Sequence, residues 1–113
     1  MSDSVTIEDI IVGEGKAAER GALITAHYTG WLEDGTEFDS SHRKGQPFEC
    51  ILSNKRVIQG WILGLAGMRV GGKRKLWVPA ALAYGERQVG DMIPPNSNLL
   101  FEIELLSVLT RDD

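Results

Sequence analysis

The chain has 113 residues, of which 42% are hydrophobic and 25% charged, with a formal net charge of −4 and one cysteine. This length fits a single domain with one small core, which we take to span residues 1–113, and the composition is that of an ordinary globular protein. The acidic balance argues against a nucleic-acid partner, and a single cysteine excludes an intramolecular disulfide.

The first half of the chain predicts strands. Residues 5–12 alternate imperfectly between apolar and polar types, and residues 22–32 are rich in β-branched and aromatic side chains. Asp34-Gly35 is a strong hairpin signal that should return the chain into a strand at residues 37–39. Residues 40–47 are polar and predict a loop, after which strand character resumes at residues 48–52.

The second half contains the one helical period. Apolar residues recur at i, i+3, i+4 and i+7, on Ile58, Trp61, Ile62 and Leu65. Three glycines within or just after this segment should keep the helix short. Gly71-Gly72 predicts a second hairpin turn.

Beyond that turn, the chain returns to strand patterns. Residues 74–78 alternate, Pro79 can open a helical turn over residues 80–84, and residues 86–98 predict a loop. Residues 99–106 predict a final strand with one apolar face. The elements together predict an α+β domain, a curved antiparallel β-sheet of about five strands wrapped on one short α-helix.

No motif for covalent or metal chemistry is evident. His27 and His42 are far apart, and Ser40-Ser41 lacks the flanking glycines of a hydrolase elbow. Two histidines and one cysteine cannot close a zinc site without carboxylates. We expect Cys50 to be buried and inert, His27 to be structural, and the protein to use no metal or cofactor.

A basic cluster allows two interpretations. Arg69, Lys73, Arg74 and Lys75 could contact phosphates, or they could form the solvated end of a hairpin. The second interpretation is favoured because Gly71-Gly72 interrupts the cluster and the chain is acidic elsewhere.

Location is predicted from what the sequence lacks. Residues 1–4 carry neither the basic nor the apolar region of a secretory signal, and no apolar run approaches the ~18 residues of a membrane helix. A lone cysteine suits a reducing compartment. We therefore expect a cytoplasmic protein without a membrane partner, and a monomer.

Five segments, taken in order, resemble one family. They are Tyr28-Thr29-Gly30, Leu32-Glu33-Asp34-Gly35, Phe38-Asp39-Ser40-Ser41, Val57-Ile58-x-Gly60-Trp61 and Ile93-Pro94-Pro95. Over residues 7–106 the chain resembles the FKBP-type peptidyl-prolyl cis-trans isomerases, the macrolide-binding immunophilins. The resemblance implies an isomerase that acts on proline-containing polypeptides, assists protein folding and binds macrolide inhibitors of the FK506 and rapamycin type.

The resemblance also implies a pocket for the proline ring, floored by Trp61. The Ile58 N–H and the Tyr84 hydroxyl would bind ligand carbonyls, and Asp39 would lie near the carbonyl that twists. Phe38 and Ile93 would close the rim. The implied catalytic residues are Asp39, Trp61, Tyr84 and Phe101, and the implied substrate-binding residues are Tyr28, Phe38, Phe48, Val57, Ile58 and Ile93.

Several alternatives stay open at this point. From the residues alone, Phe48, Trp61 and Phe101 could be core, and Asp39 could be a turn residue. The protein could be a non-catalytic module that grips proline-containing partners, or a folding helper that binds through its surface. Either Lys44 or Arg43 could pair with Asp39, because Lys44 stands where eukaryotic members often have an arginine.

The charged loop at residues 86–92 is expected to set which residues are tolerated before the proline. It is also too short to hold the inserted flap domain of the chaperone-type bacterial members, which makes a dedicated holdase role less favoured.

Overall fold

The computed structural model describes residues 4–111, which form one antiparallel sheet of six strands with two α-helices. The strand order is β1-β5-β6-β2-β3, and β4 also pairs with β2. The elements are β1 (Thr6–Ile11), β2 (Leu23–Leu32), β3 (Glu37–Ser40), α1 (Ser41–Lys44), β4 (Phe48–Ile51), α2 (Gln59–Leu65), β5 (Lys73–Val78), a 3-10 turn (Ala80–Leu82) and β6 (Leu99–Leu109).

Strand β2 organises the region around the site, because its two edges are used differently. One edge pairs with β6 along the whole strand. The other edge is divided, since Leu23 to Ala26 pair with β4 and Thr29 to Trp31 pair with β3. Between them, the Ser41 hydroxyl accepts from the Tyr28 N–H at 2.8 Å and donates to the Tyr28 carbonyl at 3.3 Å.

The predicted α+β class, with an antiparallel sheet and one main helix, is confirmed. Alternating side chains of β2, β5 and β6 point to one face of the sheet, where α2 covers them. The resulting core is mostly aliphatic. Its fully enclosed members include Ile24, Leu65, Leu76, Ile103 and Leu105.

Two glycines let α2 lie close to the sheet. A Cβ at Gly60 would lie 2.4 Å from Val78 Cγ1, and one at Gly64 would lie 2.7 Å from Leu76 Cδ1. The sequence predicted only that glycines shorten this helix. The structure adds that these two positions exclude side chains, while Gly67, with a φ of +81°, follows the helix end.

The predicted loop at residues 40–47 contains a helical turn, α1. The Ser40 hydroxyl caps it by accepting from the Arg43 N–H, and Gly45 closes it in the left-handed conformation at φ 79°. Polar composition suggested a loop, but a serine cap followed five residues later by glycine is also the pattern of a short helix.

The predicted hairpin at Gly71-Gly72 is wrong. Within residues 4–111, the segment between α2 and β5 contains a turn and an isolated bridge from Arg69 to Ala17, but no strand. Strand β5 instead pairs with β1 and β6, which are distant in sequence. A glycine pair marks a turn, but it does not say what precedes the turn.

The interpretation of Arg74 as part of a solvated hairpin end is also wrong. Its side chain is buried because Arg74 shares the inner face of β5 with Leu76 and Val78. Its guanidinium donates to Asp9 Oδ1 at 2.6 Å and to the Gly64 carbonyl at 2.8 Å. Arg74 therefore ties the end of α2 to both β1 and β5.

The outer face of the sheet carries a row of three large side chains. Trp77 is paired with Leu100, and Leu100 with Trp31, across β5, β6 and β2. All three are half-buried, and the Trp77 indole N–H lies 3.4 Å from Glu33 Oε2.

Cys50 is half-buried rather than buried, because β4 lies at an edge of the sheet. Burial still raises the pKa of its thiol to about 11, so the thiol keeps its proton at neutral pH. Among residues 4–111, no helix is both long and apolar enough to cross a membrane.

Candidate active site

Four aromatic rings meet at one end of the inner face. Trp61, in the first turn of α2, lies edge-to-face against Tyr28, Phe101 and Phe48, with centroid separations of 5.2, 5.6 and 5.9 Å. Tyr28 and Phe48 make the same kind of contact at 5.6 Å. Such perpendicular arrangements are the favoured geometry of aromatic pairs. The contacts between the rings fix their orientations, and a hollow remains between them.

Gly30 makes room for the outer wall of this hollow. A Cβ at Gly30 would lie 2.6 Å from Phe38 Cζ and 3.0 Å from Phe101 Cε1. Those two rings meet edge-to-face at 5.8 Å directly over the glycine. The sequence analysis used Tyr28-Thr29-Gly30 only as a marker, and the structure explains why the third residue has no side chain.

Asp39 supplies the negative charge of the site. Its Oδ2 accepts from the Tyr28 hydroxyl at 2.5 Å, and its Oδ1 accepts from the Ser40 N–H at 2.9 Å. Lys44 Nζ lies 3.0 Å from Oδ1, whereas Arg43 forms an ion pair with Glu37. The alternatives left open by the sequence are thus resolved: Lys44 is the partner of Asp39.

These contacts determine the ionisation of the pocket. Burial alone would raise the pKa of Asp39, but hydrogen bonds from Tyr28 and Lys44, with the charge of Lys44, hold it below its ordinary value. Burial raises the pKa of Tyr28, and the hydrogen bond to Asp39 raises it further. Burial and the charge of Asp39 also raise the pKa of Tyr84. The site therefore holds one carboxylate and two neutral phenols at neutral pH.

Two donors at the rim have no acceptor among residues 4–111. They are the Ile58 backbone N–H, just before α2, and the Tyr84 hydroxyl, just after the 3-10 turn. Both belong to residues that line the hollow. A ligand carbonyl entering the hollow can accept from either of them.

The hollow is a cavity of about 110 Å³, small beside the ~300–1,000 Å³ of pockets for drug-sized ligands and suited to one side-chain ring. Nine of the ten predicted site residues line it, together with Arg56. Sequence reasoning assigned Arg56 no side-chain role. The feature of the sequence that could have identified Arg56 as a lining residue is its position directly before Val57, within a polar turn.

Ile93, the tenth predicted residue, does not line the cavity. It is 5% exposed, packs into the hydrophobic core, and pairs with Val89 through backbone hydrogen bonds of 2.9 and 3.2 Å. That pairing turns the loop after the 3-10 turn back on itself. Its burial and pairing do not test the rim role expected for Ile93, which stays a prediction.

The histidines lie outside the cavity lining. His27 Nδ1 is 2.8 Å from the Ser41 hydroxyl, and its ring stacks on His42 with centroids 4.2 Å apart. Within residues 4–111, no three His, Cys, Asp or Glu side chains group closely enough to hold a metal ion. The cavity offers aromatic faces, one carboxylate and two hydrogen-bond donors, a set suited to binding and orienting an amide.

Comparison with known proteins gives consistent matches. The family model described as FKBP-type peptidyl-prolyl cis-trans isomerase matches residues 14–106. The FK506-binding protein of Neisseria meningitidis serogroup A is 52% identical over 105 residues, which cover 93% of this chain and 96% of that protein.

Two solved structures extend the match to the fold. FkpA from Escherichia coli superposes with a TM-score of 0.86 at 41% identity, over 93% of this chain and 48% of that one. AtFKBP13 superposes with a TM-score of 0.83 at 44% identity, over 91% of each chain.

Proposed function

The chain belongs to the FKBP-type peptidyl-prolyl cis-trans isomerases, and we propose that its aromatic cavity accelerates rotation about X–Pro bonds by binding the twisted amide. The observation that carries this proposal is the convergence of nine predicted residues on one small cavity with two donors at its rim. Such a site has no tool for covalent chemistry, and the rotation requires no bond to be made or broken.

The chemical argument starts from the amide. Resonance gives the C–N bond partial double-bond character, and rotation about it has a barrier of ~20 kcal/mol. In the twisted form this resonance is lost, so the carbonyl oxygen carries less negative charge and the nitrogen becomes more pyramidal. A cavity walled by rings, with water removed, favours the twisted, less polar amide over the planar one.

The residues take distinct roles in this proposal. The proline ring sits on Trp61 and is walled by Tyr28, Phe48 and Phe101. The Ile58 N–H and the Tyr84 hydroxyl hold carbonyl groups of the substrate at the rim. Asp39 acts on the twisting carbonyl through its charge, held in place by Tyr28 and Lys44.

We extend the proposal to macrolide binding. The relative from Neisseria meningitidis carries the name FK506-binding protein. The same cavity and the same two donors would receive such a ligand, with one ring in the hollow and carbonyls on Ile58 and Tyr84. A role in protein folding, on proline-containing polypeptides and as a cytoplasmic monomer, stays part of the proposal.

A protease-coupled assay with an X-Pro peptide tests the proposal directly. We expect acceleration over the uncatalysed rate and its loss on adding FK506. No acceleration, with macrolide binding retained, would leave a non-catalytic binding module. Acceleration that survives substitution of the pocket residues would instead favour a protein that works through its surface.

A further inference from the structure

A second groove adjoins the aromatic cavity and concentrates positive charge. Its volume is about 380 Å³, and its lining contains no carboxylate. Lys55, Arg56 and Arg87 all line it, in a chain whose net charge is −4. We call it the flanking groove. It shares four lining residues with the aromatic cavity, namely Arg56, Val57, Ile58 and Tyr84.

The three cations of the flanking groove lack protein partners. Within residues 4–111, the side chains of Lys55, Arg56 and Arg87 form no ion pair and no hydrogen bond. All three are exposed. Other basic residues differ, since Lys44 and Arg74 each pair with a carboxylate. The groove is therefore a patch of uncompensated positive charge rather than part of an ion-pair network.

The flanking groove borders the two donors assigned to the substrate carbonyls. Ile58 and Tyr84, whose free donors would hold the substrate carbonyls, border both the cavity and the groove. A peptide with its proline ring on Trp61 and its carbonyls on these donors has this shared border beside it, so the groove is within reach of residues next to the proline. This step rests on the proposed function, because it takes the cavity as the proline site.

We propose that the flanking groove is a subsite for an anionic side chain a few residues from the substrate proline. Carboxylates and phosphates both match the planar fork of arginine, so aspartate, glutamate and phosphorylated residues share the required chemistry. The preference is modest, because exposed ion pairs contribute little and are screened by salt. The subsite would discriminate among proline sites by the charge of a neighbouring residue.

The test compares peptides that differ at one position. Glutamate, phosphoserine and glutamine are placed in turn two residues before or two residues after the proline, and kcat/KM is measured for each. We expect the glutamate and phosphoserine peptides to exceed the glutamine peptide about two- to fivefold in one of the two placements at low salt. The advantage should shrink toward one at 1 M salt, where the screening length is ~3 Å. Ratios of one in both placements would overturn the proposal.

Variants assign the effect to the groove. The double substitution Lys55→Gln and Arg87→Gln should bring the glutamate-to-glutamine ratio close to one. The double substitution Lys75→Gln and Arg20→Gln is the matched control, because it removes the same two positive charges from exposed positions outside the groove and should leave the ratio unchanged. A ratio that persists in the double variant would refute the groove as the anionic subsite.

Calorimetric affinities for the same peptides separate this proposal from the proposed function. If the protein accelerated isomerisation of none of the peptides, the isomerase mechanism would be refuted. A difference in affinity between glutamate and glutamine peptides would still support the subsite. If the enzyme is active but glutamate and glutamine peptides show equal affinities and equal rates, the subsite is refuted and the isomerase mechanism is not.

Discussion

The inner face of the sheet has two ends that share one sequence pattern and differ in what lies above them. On β6, Ile103 and Leu105 are fully enclosed by the core, whereas Phe101, two residues earlier on the same face, lines an open cavity. On β2, Ile24 and Tyr28 differ in the same way. Flexible aliphatic side chains fill the space they enclose, but rigid rings that meet edge-to-face leave a hollow.

The largest effect should come from removing Trp61, the ring at the cavity end that packs on the three others. Trp61→Ala should lower the free energy of unfolding by about 3–5 kcal/mol, because Trp61 is 4% exposed and packs on three other rings. It should also abolish macrolide binding by the fraction that remains folded. Urea unfolding and a binding titration measure the two effects.

Leu105→Ala is the matched change at the core end. It should cost about 2–5 kcal/mol of stability and leave the affinity of the folded protein as it was, since Leu105 does not line the cavity. If Trp61→Ala kept full affinity, Trp61 would not be the floor of the pocket and the two ends would not differ in function.

A smaller loss of stability is expected where the helix meets the sheet. Gly60→Ala would gain about 1 kcal/mol of helix propensity, but its Cβ would meet Val78 Cγ1 at 2.4 Å, an overpacking that typically costs about 1–3 kcal/mol. We expect a net destabilisation in urea. The exposed neighbour substitution Gln59→Ala serves as control, and a Gly60→Ala variant more stable than wild type would show that the close approach is not required.

The polar rim should affect turnover more than stability. Asp39→Val and Tyr84→Phe should each lower kcat/KM about two- to tenfold while the fold survives. A change of this size corresponds to the free energy lost when one hydrogen bond or one nearby charge is removed. Asp34→Asn, in the exposed hairpin, is the control and should leave turnover intact. Wild-type turnover in both rim variants would remove their assigned roles.

The smallest effect is expected from pH in the neutral range. The pKa of folded Asp39 lies below its ordinary value of ~3.9, so its ionised form stabilises the native state above that pH. This contribution should be lost only as pH falls below about 4, and Asp39→Asn should lack it. Because the pKa of Tyr84 is raised, its hydroxyl stays protonated throughout, and kcat/KM should be flat from pH 5 to 8.

A steep change in kcat/KM near pH 6.5 would contradict this assignment. It would point to a histidine, and the stacked pair His27 and His42 would then have to act on the pocket from outside its lining.

Alternation and helical period predicted the sheet and the main helix, because they place side chains on faces, whereas the residues that gather at the site were implied by the resemblance to the family. Alternation alone could not separate Phe101 from Ile103, since both occupy the same face of one strand and only packing leaves a cavity over the first. The sequence also misplaced Arg74, because a cation on an apolar face is explained only by acceptors that arrive from β1 and α2. Nothing in the sequence indicated that Ile93 pairs with Val89, because that bridge lies within an irregular loop.

The row of large side chains on the outer sheet face has a practical consequence for optical measurements. Of the three tryptophans, only Trp61 touches the cavity, while Trp31 and Trp77 lie on the opposite side of the sheet. The intrinsic tryptophan fluorescence therefore combines the emission of Trp61, which should change when a ligand binds, with that of Trp31 and Trp77, which should not. Replacing both outer indoles by phenylalanine would leave Trp61 as the single tryptophan, and its emission would then record each ligand entering the hollow.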